Sequence, residues 1–94
     1  MKIKLIKFVT GEESIFEIIR ELENTIEVKN GLTMIFDGNS IRAIPYSVNI
    51  NDGTVVTIDK KSIIFISEPR TDLEDQYKQQ FSSIITPKTG NIIV

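Results

Sequence analysis

The chain has 94 residues, of which 40% are hydrophobic and 26% charged, and a formal net charge of −2. This is enough for one compact domain with a modest core, and the composition is that of a globular protein. Histidine and cysteine are both absent, which removes disulfides, thiolate nucleophiles, the usual zinc sites and the commonest general base, so we expect no enzyme, no metal and no cofactor.

The first two elements meet at Thr10 and Gly11, which are typical turn residues. The alternation from Met1 to Val9 predicts a first strand. Residues 12–22 fit two structures. A capping box at Thr10 and Glu13, followed by apolar residues at helical spacing, predicts a helix, whereas alternating apolar and acidic positions predict a strand. We favour the strand, because a short turn most often joins paired strands and a helix would leave the first strand without a partner.

The middle of the chain has the sequence pattern of short strands separated by turns. "TIEVKNGLTMIF" (25–36) alternates apolar residues and is interrupted at Asn30–Gly31, which suits a turn or a bulge. "DGNS" (37–40) predicts a turn, and "NDG" (51–53) is the strongest hairpin signal in the chain. Two more strands, 54–58 and 62–67, are joined by the polar link "DKK" (59–61).

The pattern changes after Pro69. Thr71 and Glu74 form a second capping box, and Leu73, Tyr77, Phe81 and Ile84 form one stripe, which predicts an amphipathic helix over about 72–84. We therefore expect one domain over 1–85, with strands to about residue 68, followed by a C-terminal tail over 86–94.

Four segments carry a family resemblance: "KFVTGEESIFEI", "VKNGLTMI", "IPYS" and "DKKSIIFISEPRTDLEDQY". In them the chain resembles the Sm-like (LSm) proteins, and specifically the group found in marine metagenomes and attributed to cyanophages. The first Sm motif is matched at Ile6, Phe8, Gly11 and Ile18, and the second at Ile58, Ile63 and Ile66. Phe16 stands where the family has an inner glycine, and Asp59 and Lys60 stand where it has arginine and glycine.

The resemblance implies an all-β fold, a small and strongly bent five-stranded barrel, here with a C-terminal helix. It also implies a homo-oligomeric ring of about five to seven subunits, closed through the edge strands 54–58 and 62–67. Rings of this family bind single-stranded RNA with loops that line one face of the central hole, by stacking bases and gripping phosphates.

Lys60 and Lys61 lie in the loop that matches one binding loop of the family. Symmetry would repeat them into a basic circle, although lysines are also ordinary at a solvated turn. Asp37 and Asn39 offer hydrogen bonds to base edges, because the family uses Asp and Asn in its other binding loop, although "DGNS" is also simply a good turn.

Tyr46 and Arg42 complete the candidate site. Tyr46 is able to stack on a base, or to pack at the rim of the core as aromatic residues beside a proline often do. Arg42 lies between apolar neighbours and is expected to point outward, toward a partner, RNA or water.

Two functions follow. The first is a ring that binds single-stranded RNA or DNA in nucleic-acid processing, and the second is a structural or adaptor ring of a phage with no nucleic-acid ligand. Since no apolar run approaches the roughly 18 residues of a membrane span, we expect a soluble, cytoplasmic protein with no membrane partner, in the host cytoplasm if it is phage-encoded.

Overall fold

The computed structural model describes residues 1–81, so the predicted end of the helix at 84 and the tail over 86–94 lie outside the described residues. The strands in this range are β1 (Ile3–Phe8), β2 (Glu13–Glu21), β3 (Thr25–Phe36), β4 (Ile41–Pro45), β5 (Val56–Asp59) and β6 (Ile63–Ser67). A 3-10 helix (Lys60–Ser62) joins β5 to β6, and the C-terminal helix α1 spans Thr71–Phe81. No helix within residues 1–81 is long and apolar enough to cross a membrane.

The strands form one antiparallel sheet in the order β4-β3-β2-β1-β6, and β5 also pairs with β3. β4 pairs with the second part of β3, from Leu32 to Phe36, and β5 pairs with the first part, from Thr25 to Val28. The predominantly β fold with one C-terminal helix is confirmed. The expected count of five strands is wrong over residues 1–81, because one edge of β3 has two short partners in place of one long one.

The "NDG" segment forms a turn but not a hairpin. The Thr54 amide donates to the Asn51 carbonyl at 3.2 Å, yet the flanking strands β4 and β5 both pair with β3 and not with each other. The predicted hairpin is therefore wrong, since a turn sequence fixes only the local reversal of the chain. β5 and β6 also lack a mutual pairing in the described part, so the sheet is open there.

Residues 12–22 contain strand β2, which confirms the strand and excludes the helix. β2 pairs with β1 on one side and β3 on the other. Its consecutive residues Ser14, Ile15 and Phe16 are all buried, at 0%, 1% and 1% exposure. Because both faces of β2 are covered, its sequence lacks the clean alternation of a strand with one solvated face.

The interruption at Asn30–Gly31 is a bulge within β3. Ile15 pairs with Leu32, but Glu17 pairs with Lys29, so β3 has one extra residue opposite β2. Asn30 has a φ of 55°, a left-handed conformation that asparagine tolerates better than most residues. A bulge bends its strand and increases the local twist, so this one curves the centre of the sheet.

Two apolar clusters cover the two faces of the sheet. One contains Ile6, Phe8, Phe16, Ile18, Ile26, Val28 and Ile58, and the other contains Ile3, Ile15, Leu32 and Tyr77. Tyr77 is buried and belongs to α1, and Leu73 and Phe81 pack against the same cluster. The predicted stripe of α1 is thus confirmed as far as Phe81, while Ile84 lies outside the described residues. The helix therefore packs on one face of the sheet.

Candidate nucleic-acid interface

The turn that presents Lys60 and Lys61 is held by the residue before it. The Asp59 carboxylate accepts from the Lys61 amide at 2.9 Å, and the Ser62 hydroxyl donates to the Asp59 carbonyl at 2.7 Å. A carboxylate that caps the first free amides of a short helix is a stable arrangement. Asp59 therefore fixes the backbone of this loop.

Lys60 is tied to the loop between β2 and β3. Its backbone amide donates to the Asn24 carbonyl at 3.0 Å, and its Nζ lies 2.9 Å from Glu21 Oε2. The hydrogen bond from Lys60 lowers the pKa of Glu21, and the more distant charges of Lys2 and Lys4 lower it further. Much of the Lys60 charge is thereby balanced within the chain.

Lys61 is exposed and is in no ion pair with another residue of 1–81. The carboxylates of Glu21, Glu23 and Asp59 belong to two segments in contact, 21–24 and 59–62, and the second segment contains both lysines. Lys2 and Lys4 are also close enough to lower the pKa of Glu21, so the charges of this surface are mixed. Of Lys60 and Lys61, Lys61 is the more available to a phosphate.

The Asp37 side chain forms hydrogen bonds within its own turn. Its Oδ1 accepts from the amides of Asn39 and Ser40 at 3.2 and 3.0 Å, and these bonds lower the pKa of the Asp37 carboxyl. Arg42 Nε lies 3.7 Å from Asp37 Oδ2. Asn39 and Arg42 are exposed. This is the local geometry of a well-formed turn, which leaves the side-chain amide of Asn39 and part of the Arg42 guanidinium accessible.

The structure separates the two predicted groups of binding residues. Lys60 contacts Asn24, just before β3 begins, whereas the turn of Asp37 follows the end of β3. Within one chain, Lys60 and Lys61 thus lie at the opposite end of β3 from Asp37, Asn39 and Arg42. A single loop-to-loop site that uses all of them is not formed by one subunit.

Tyr46 is used in packing. Its ring stacks on Phe8 with the centroids 5.7 Å apart and meets the edge of Phe16 at 5.0 Å. Its amide donates to the Gly31 carbonyl at 2.8 Å, and burial is the main reason that the pKa of its hydroxyl is raised. The ring is held against the core, in agreement with the packing interpretation of this residue.

Sequence reasoning missed Glu21 and Asn24 as neighbours of the lysine loop. The pair "EN" at 23–24 indicated only a bend, and nothing in a local pattern shows which distant loop will lie beside it. Among residues 1–81, no group of three or more acidic side chains is placed to hold a metal ion. The sequence matches no protein-family model and none of the curated proteins with which it was compared.

Proposed function

We propose that this chain is an Sm-like, ring-forming, non-enzymatic protein whose assembled ring binds single-stranded RNA or DNA. The observation that carries the proposal is the placement of β5 and β6. They are consecutive strands joined by one 3-10 turn, yet they pair with different strands, β3 and β1, on opposite sides of an open sheet. This arrangement supports assembly, because it leaves one edge of a subunit available to pair with the opposite edge of the next.

Assembly would cover strand edges that are free in residues 1–81. An edge strand has unpaired N–H and C=O groups, and pairing them with a neighbour is favourable. β6 also exposes apolar side chains, since Ile64 is 57% and Phe65 43% exposed. A contact between two different edges closes into a ring when its rotation divides a full turn.

The mass of the particle tests this step. We expect light scattering to give several subunits, about five to seven for a closed ring. Ile64→Lys places a charge on the β6 edge and should reduce the particle to single chains. Gln79→Lys adds the same charge on an exposed part of α1 and should leave the mass unchanged. A wild-type protein that is a single chain at high concentration contradicts the ring.

Nucleic-acid binding in this proposal depends on the repetition of Lys61 around the ring. One lysine on a chain with a net charge of −2 attracts phosphate weakly, whereas several copies on one circle act together on one strand. Lys61→Gln should weaken binding of labelled oligo-U or oligo-A by the assembled protein and flatten its dependence on salt concentration. Lys78→Gln removes an equal charge from α1 and should have no effect. Equal affinities of the two variants would contradict the placement of the site.

A second candidate is the adaptor ring with no nucleic-acid ligand, and the ion pair between Lys60 and Glu21 favours it. This pair leaves Lys61 as the one lysine of the predicted site that is in no ion pair within residues 1–81. An assembled particle that binds neither oligonucleotide at low salt would support this candidate, as would its co-purification with phage particles.

A further inference from the structure

A groove runs along the outer part of the sheet between α1 and the turn that joins β1 to β2. It consists of two adjoining depressions of about 80 and 230 Å³. Both are lined by Met34 of β3 and Ile41 of β4. Phe36, which is 71% exposed, extends the apolar floor at one end, and Leu73 of α1 forms a wall at the other.

The free edge of β4 borders this groove. The Tyr46 amide donates to the Gly31 carbonyl at 2.8 Å, and the Asp37 amide donates to the Ser40 carbonyl at 3.1 Å. Since hydrogen-bonded pairs alternate along an antiparallel ladder, Arg42 and Ile44 direct their backbone groups toward β3. Ile41 and Ala43 therefore direct theirs away from the sheet, where no other strand of residues 1–81 pairs with them.

The groove carries negative charge at one end. Glu12 and Glu13 are the charged residues among those lining the two depressions within residues 1–81, and both lie at the end near Phe36 and Ile41. Glu13 Oε2 forms an ion pair with Lys7 Nζ at 3.5 Å, and the Glu12 carboxylate accepts a hydrogen bond from the Thr10 hydroxyl. An apolar floor with carboxylates at one end complements an apolar segment with a basic residue, and it disfavours a phosphate chain.

We propose that the β4 edge and this groove bind an extended segment of another protein, which adds to the sheet as a strand beside β4. Its main chain pairs with Ile41 and Ala43, its alternate apolar side chains enter the groove, and a lysine or arginine meets Glu12 and Glu13. Main-chain pairing supplies affinity in this mode of recognition, and the pockets for alternate side chains supply specificity. The surface is distinct from the β5 edge, because β4 and β5 occupy different parts of β3.

The variant Ala43→Pro tests this binding, because it should block the β4 edge without unfolding the protein. Ala43→Pro removes an N–H that points away from β3 and leaves the inward hydrogen bonds of Arg42 and Ile44 intact. Strand edges accept proline in that position, and β4 already ends at Pro45. Ala43→Ser makes a change at the same residue that retains the N–H, and it serves as the matched control.

The probe is a phage-displayed library of random dodecapeptides, selected on the full chain. Enriched peptides should alternate apolar residues and include lysine or arginine at one end. We expect their affinity to fall by about tenfold or more for Ala43→Pro, since a main-chain hydrogen bond is lost and the proline ring blocks the edge. Ala43→Ser should bind as the wild type does. Glu12→Lys should lower the affinity for the basic peptides and not for versions in which glutamine replaces the basic residue.

Three results would overturn the proposal. The first is the absence of enriched peptides, and the second is enrichment that Ala43→Pro leaves unchanged. The third is a drop in particle mass caused by Ala43→Pro in light scattering, which would assign the β4 edge to a second copy of the chain. The ring proposal is tested at Ile64, so each can fail without the other.

Discussion

Of the glycines in residues 1–81, Gly31 is the one at which an added Cβ would collide with other atoms. A Cβ at Gly31 would lie 2.7 Å from Tyr46 Cβ and 2.8 Å from Phe16 Cδ1, and closer still to Phe16 Cε1. Carbon atoms in favourable contact are about 3.5–4.0 Å apart. Phe16 is only 1% exposed, and its ring already meets Phe8 and Tyr46, with the centroids 6.2 and 5.0 Å apart. The ring therefore has little space into which to turn.

The free energy of unfolding should fall in the Gly31→Ala variant. Forcing an extra carbon into a well-packed core costs about 1–3 kcal/mol. Replacing glycine by alanine also restricts the unfolded chain, which returns about 0.4–1 kcal/mol. Because the Phe16 ring has little space to turn, we expect the upper half of the packing range, about 2–3 kcal/mol, which leaves a net loss of about 1–2.6 kcal/mol. For a domain of this size each kcal/mol lowers the melting temperature by roughly 4–8 °C.

Urea unfolding followed by circular dichroism measures this loss, with all variants at one protein concentration because assembly adds to apparent stability. Phe16→Leu frees space beside residue 31, so the double variant with Gly31→Ala should lose less than the sum of the two single losses. An unchanged midpoint for Gly31→Ala would refute the argument. Strict additivity in the cycle would show that Phe16 is not the residue in conflict.

Two further outcomes follow from hydrogen bonds between distant parts of the chain. Tyr77→Phe should lower the free energy of unfolding by about 1–2 kcal/mol, because the Tyr77 hydroxyl donates to the Asn30 carbonyl at 2.7 Å in the bulge of β3 and the variant leaves that acceptor unpaired. Urea unfolding checks this, and a loss near zero would mean that water replaces the hydroxyl. Lys60→Met should raise the pKa of Glu21 toward its ordinary value, as measured by carboxyl-carbon NMR. A carboxyl whose pKa is lowered by folding contributes stability above its unfolded pKa and loses it as the pH falls through the folded pKa, so the variant should also lose less stability on acidification. An unchanged pKa would mean that the ion pair does not persist in solution.

The candidate site was only partly predictable because its members belong to different loops. The sequence indicated Lys60 and Lys61 as a turn between two strands, and the turn is there. The sequence could not show that Glu21 would lie against Lys60, since 39 residues separate them. Nor could it show that Asp37 and Arg42 would lie at the far end of β3, because that depends on which strands pair.

Phe16 and Gly31 also show that the contacts between distant residues depend on which strands pair. In the resemblance to Sm-like proteins, Phe16 stands where that family has an inner glycine. In the structure, the close approach beside Phe16 is made by Gly31 of the neighbouring strand, where a Cβ would collide with the Phe16 ring. The sequence contains both residues, but only the pairing of β2 with β3 brings them together.

The sequence by itself determined the local features of this protein: the strand cadence from Thr25 to Ser67, the turns at Gly11, Gly38 and Gly53, and the apolar stripe of α1. Each depends on residues within a few positions of one another, so propensity and spacing are sufficient. The tertiary structure decided the rest. It selected a strand for residues 13–21 by covering both of its faces, and it gave β3 two partners in place of a hairpin. These outcomes depend on burial and hydrogen bonds contributed by distant segments, which no local pattern contains.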